Sequence, residues 1–135
     1  MRARDALGRP VDAASPAAVE PVSDEPLPPR DAVALARQLL STGRAFSAHE
    51  VLEASWKAAP PVERALWQGL AQVCVGLTHL QRGNRVGAVR LLRRGAGQLE
   101  HRQPSYGVDV PRVRAEALQL ADAIADGRET GLLSL

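Results

Sequence analysis

The chain divides at residue 29 into a stretch without apolar periodicity and a stretch dominated by it. From Asp31 onward apolar residues recur every three or four positions, the spacing of one helical face. Val33, Leu35, Ala36, Leu39 and Leu40 predict a first helix over Asp31–Thr42, with Asp31 as cap and Gly43 as stop. A second helix is predicted from Ser47 through Trp56, ending before Pro60-Pro61. Its start carries the Ser-x-x-Glu capping box in Ser47 and Glu50, with Phe46 placed to staple onto Val51.

A third helix, Val62–Arg82, is apolar almost all round through Leu66, Trp67, Leu70, Val73, Cys74, Val75, Leu77 and Leu80. Such a helix belongs at the centre of the fold. Gly83-Asn84 ends it and starts a fourth, Arg85–Arg102, with Ala88, Val89, Leu92, Ala96 and Leu99 on one face and Arg90, Arg93 and Arg94 on the other. A fifth begins near Asp109 and runs through Val113, Leu118, Leu120, Ala121 and Ile124 to Gly127. The expected fold class is all-α, a compact bundle or array of about five helices over residues 30–127. Residues 1–29, broken by Pro10, Pro16, Pro21, Pro26, Pro28 and Pro29, read as a disordered, dispensable tail. Residues 128–135 read as a frayed end.

Composition narrows the picture. The 135 residues suit one domain, and 45 % hydrophobic content supports a core built mostly of Leu, Val and Ala, since aromatics are only 3 %. The net charge of +2 gives no reason to expect a nucleic-acid partner. The arginine face of the fourth helix lacks the interleaved aromatics of a nucleic-acid platform and reads as a solvated surface. No window approaches the ~18 apolar residues of a membrane span, so no membrane partner is expected and the default location is the cytoplasm. Cys74 is the sole cysteine and lies in an apolar run, so it reads as a core residue. A second copy of the chain is an admissible partner, through an exposed Trp and the arginine face.

The residues that call for chemistry are polar side chains on apolar faces. At about 100° per residue, His49, Glu53 and Trp56 share a ~60° sector of the second helix. Gln68, Gln72 and His79 share a ~40° sector of the third. If the two helices pack antiparallel, the stripes can meet and either order the packing or line a small pocket. Glu50 already has a local use in the capping box. His49 and Glu53 are four apart and suit a hydrogen-bonded pair. With His79 they form the alternative reading, a divalent-metal site of a hydrolase or other small-molecule enzyme. The first reading needs no cofactor and no catalysis.

Three segments together resemble a known family. Phe46-Ser47-Ala48-His49-Glu50-Val51-Leu52-Glu53-Ala54-Ser55-Trp56 is similar to the Phe-x-x-His-Glu-x-x-Glu-x-x-Trp signature of the domain-of-unknown-function 309 family. Trp67-Gln68-Gly69-Leu70-Ala71-Gln72 and His79-Leu80-Gln81-Arg82-Gly83-Asn84-Arg85-Val86-Gly87-Ala88 resemble its two later stretches, and Gly107-Val108-Asp109-Val110 its final turn. The resemblance covers about residues 31–126. It implies a small all-helical domain of prokaryotic cytoplasm and brings no catalytic role to Phe46, His49, Glu50, Glu53, Trp56, Gln68, Gly69, Gln72, His79, Gly83, Asn84 or Gly87.

Overall fold

A computed structural model describes residues 3–128 and 133–135. Five α-helices make up the body: α1 (Pro29–Ser41), α2 (Ala45–Ala58), α3 (Arg64–Gln81), α4 (Arg85–Gln98) and α5 (Val110–Ala125). Each packs chiefly on its neighbours in the chain, α1 on α2, α2 on α3, α3 on α4 and α4 on α5. Short connections enforce that order from α1 to α4. Gly43 and Gly83, at φ +75° and +78°, turn the chain back after α1 and α3 in a conformation that glycine adopts without strain. The expected all-α array is therefore the fold.

The helix boundaries follow backbone chemistry more closely than apolar spacing alone. Pro29 occupies the first turn of α1, where its missing N–H costs nothing, so α1 starts before Asp31. Residues Pro61–Glu63 form a 3-10 turn, and α3 proper begins at Arg64. α4 stops at Gln98, short of the expected Arg102, and the chain turns there through His101 at φ 63°. Asn84 and Asp109 cap α4 and α5, accepting hydrogen bonds from Gly87 N and Arg112 N at 2.9 and 3.2 Å.

The capping box is not formed, which corrects the expected start of α2. The helix begins at Ala45, and Ser47 lies inside it, buried, with its hydroxyl accepting a bond from the Arg44 guanidinium at 3.0 Å. Ala45, Ala48 and Leu52 supply the buried spacing, so burying Ala45 extends the helix two residues towards Gly43.

α3 is the central helix, with Leu66, Trp67, Leu70, Val73, Cys74 and Leu77 all buried. Glycines let α4 approach it closely: a Cβ on Gly95 would lie 2.8 Å from the Gly69 carbonyl oxygen. The α4–α5 loop folds back so that the Tyr106 ring stacks on Trp67, centroids 5.6 Å apart, and its hydroxyl donates to Glu63 at 2.8 Å. That anchor holds Tyr106 at φ 52°, a left-handed conformation costly for an aromatic residue.

Residues 3–28 contain no helix, as their prolines require, yet they are not featureless. Strands β1 (Ala3–Arg4) and β2 (Pro10–Val11) pair antiparallel, and Val19 N donates to Arg4 O at 2.9 Å. The stretch expected to fray includes residues 129–132, which lie outside the described residues. Beyond them Leu133 and Leu135 are buried in the core, and the Leu135 carbonyl accepts a bond from Arg37 Nε at 3.0 Å. Among the described residues no helix is long and apolar enough to cross a membrane.

Candidate functional site

α2 sets the geometry of the polar residues. Its buried face is Ala45, Ala48, Val51, Leu52 and Ser55, and the flank next to it carries Phe46, His49, Glu53 and Trp56. His49 and Glu53 meet on that flank: His49 Nε2 lies 2.8 Å from one Glu53 oxygen. The other oxygen takes Lys57 Nζ at 3.0 Å, so one carboxylate ties three successive turns of the helix. The Phe46 ring tilts against the imidazole with centroids 5.4 Å apart.

The protonation of this group follows from its surroundings. Burial disfavours the imidazolium and outweighs the pull of Glu53, so His49 titrates below its ordinary range. The neutral ring donates from Nε2 to Glu53, which leaves Nδ1 as a buried lone pair without a hydrogen-bond partner. The Phe46 backbone also favours a proton on the ring. Glu53 is held below the carboxylate range, first by Lys57 and then by His49. Glu50 behaves oppositely. Burial pushes its carboxyl up, against the attraction of Arg4.

The α3 residues go elsewhere. Gln68 accepts a hydrogen bond from Gln98 of α4 at 3.0 Å, so it bridges α3 to α4 rather than to α2. His79 Nδ1 stands 3.1 Å from the amide nitrogen of Asn84, beside Gly87, at the joint between α3 and α4. The Gln72 carbonyl oxygen is buried without a partner. Trp56 is half-buried against the core. Of the seven polar-cluster residues, the structure thus joins His49 to Glu53 directly and sends Gln68 and His79 to α4. Among the described residues no three His, Cys, Asp or Glu side chains gather in a metal-binding arrangement, so His49, Glu53 and His79 do not converge as a ligand set.

Two features escaped the sequence reading. One is the Glu63–Tyr106–Trp67 group, in which Glu63 accepts from Trp67 Nε1 at 3.3 Å as well as from Tyr106. It borders a cavity of about 370 Å³ walled by Pro26, Leu27 and Pro28 on one side and by Ala58, Ala59 and Pro60 on the other. No spacing rule links Glu63 to Tyr106, 43 residues away. The other is the use of the arginines. Arg37, Arg44, Arg64, Arg82, Arg85 and Arg102 donate to backbone carbonyls of other segments, and Arg93 pairs with Asp122 at 3.1 Å. They stitch loops and chain ends to helices.

Residues 33–91 match the family model of DUF309, a domain of unknown function. The uncharacterised protein YpuF of Bacillus subtilis (strain 168) is 37 % identical over 89 residues, a stretch covering 63 % of this chain and 49 % of that protein. The match thus spans about half of that relative's length. No solved structure matches the chain.

Proposed function

We propose that this chain, which resembles the DUF309 family over residues 33–91, is a non-catalytic helical module of the cytoplasm whose polar residues organise helix packing and a binding face, with protein rather than membrane or nucleic acid as partner. One observation carries the reading: the polar side chains are engaged in separate local pairs, His49 with Glu53, Gln68 with Gln98 and His79 with Asn84. A reacting centre needs such groups to converge on one point. The arginine face of α4 lacks interleaved aromatics, which supports a surface without a nucleic-acid platform.

The test is a double-mutant cycle on His49 and Glu53, read by urea unfolding, with elemental analysis of each purified variant. The pair is partly exposed, so a coupling of roughly 0.3–1 kcal/mol is expected. The pH dependence has a definite sign. The folded state binds a proton on His49 less tightly than the unfolded chain does, so stability falls as pH drops below about 6.5. His49→Gln should flatten that slope between pH 7 and the lowered folded value. A stoichiometric metal lost on His49→Ala would overturn the reading in favour of metal-assisted chemistry at His49, Glu53 and His79.

A further inference from the structure

The Phe46 face of α2 is dressed in a way that packing alone does not require. Two guanidinium groups lie over the Phe46 ring, Arg4 at 5.0 Å and Arg82 at 5.9 Å from its centroid. Gly8 is pressed onto the same ring: a Cβ there would sit inside the ring's van der Waals surface, and φ +79° strains any other residue. Two arginines of the helical body reach outward to main-chain oxygens of the N-terminal segment. Arg82 Nε donates to Leu7 O at 2.8 Å, and Arg44 donates to Glu20 O at 2.6 Å. The charge of Arg4 also attracts the Glu50 carboxylate, one turn along α2 from Phe46.

These are the elements of peptide recognition: an aromatic platform that holds an arginine, and donors for backbone carbonyls. We propose that the Phe46 face is a peptide-binding surface that this chain closes in cis with residues 3–22, a cover that can come off. This deepens the binding-module reading and rests on it. The ligand class is a peptide that places an arginine over Phe46 beside Glu50 and a glycine turn against the ring.

Two further observations separate a cover from a piece of core. Of residues 3–28 only Gly8 is buried, and Val22 is the one residue packed partly against the core, so residues 3–22 contribute little side-chain material of their own to the apolar core. The contact also leaves polar groups unmet at this end of the molecule. Arg44 Nε, His49 Nδ1 and the Gln81 side-chain oxygen are all buried without a partner. A competing peptide that supplies those bonds has an advantage over the resident segment.

The test uses the full chain. Gly8→Val removes the seat while leaving every residue of the helices unchanged. The expected result is unchanged helical circular dichroism, at least tenfold faster tryptic cleavage after Arg4 and Arg9, and binding of a labelled synthetic peptide of residues 3–22 to the variant but not to the wild type. A peptide carrying Gly8→Val should not bind. A second form of the protein carries a specific protease site in the exposed stretch Ser23–Glu25 and is cut after folding. Its severed segment should exchange with the labelled peptide. Loss of helix in both forms would overturn the proposal, because the segment would then belong to the cooperative fold. Failure of the peptide to bind either form, or equal binding to the variant and the intact wild type, would also overturn it.

Discussion

Gly95 and Gly97 lie two residues apart on α4 and face opposite surroundings. A Cβ on Gly95 would meet backbone on α3, 2.8 Å from Gly69 O and 3.0 Å from Val73 N, and backbone cannot rotate away as a side chain can. Gly97 is exposed, and nothing lies within 4 Å of its Cβ position. The same substitution should therefore act in opposite directions. Gly95→Ala forces α3 and α4 apart and is expected to cost roughly 1–3 kcal/mol, the range of overpacked cores. Gly97→Ala lowers the entropy of the unfolded chain and is expected to add about 0.5–1 kcal/mol. Urea unfolding of the two variants checks both. Equal effects would mean that the α3–α4 crossing is looser than the structure shows.

At the scale of helices, the sequence was legible wherever a local rule acted without competition. Asn84 and Asp109 precede α4 and α5 and cap them, and Gly83 ends α3. Ser47 was misread because Ser-x-x-Glu satisfies the pattern of a capping box while burial decides the outcome. Ala45 is buried, so the helix starts ahead of the serine and Ser47 enters the core. The polar stripes were half legible. The i,i+4 rule found His49 with Glu53, but helical angles do not say which neighbour a face meets, and Gln68 and His79 turned to α4. A stability comparison separates a cap from an imitation. Asn84→Ala and Asp109→Ala should each cost on the order of 1 kcal/mol, the loss of an N-cap. Ser47→Ala should cost less than about half of that, because it removes only an acceptor for Arg44, which keeps its bond to Glu20 O. Thermal melts showing Ser47→Ala to be the most damaging of the three would restore the capping box.

At the scale of the whole molecule, the contacts that close the fold join residues far apart in sequence, and none has a periodic signature. Arg37 on α1 donates to the carbonyls of both Gly107 and Leu135, tying the first helix to the α4–α5 loop and to the end of the chain. Tyr106 locks the same loop onto α3. Leu133 and Leu135 follow the stop at Gly127 and offer no repeat, so their sequence reads as a frayed end, yet their exposures are 8 % and 2 %. The consequence is measurable. Two buried leucines contribute about 1.5–3 kcal/mol each by transfer from water. Leu133→Ser with Leu135→Ser should therefore lower stability by several kcal/mol. Arg37→Ala alone should cost about 1 kcal/mol, because it removes one part-buried and one exposed hydrogen bond whose acceptors water can reach. The double leucine variant should also weaken the effect of Arg37→Ala, since the Leu135 carbonyl is held in place by the side chain that buries it. A triple variant whose loss equals the simple sum would show that the end of the chain and Arg37 stabilise α1 independently.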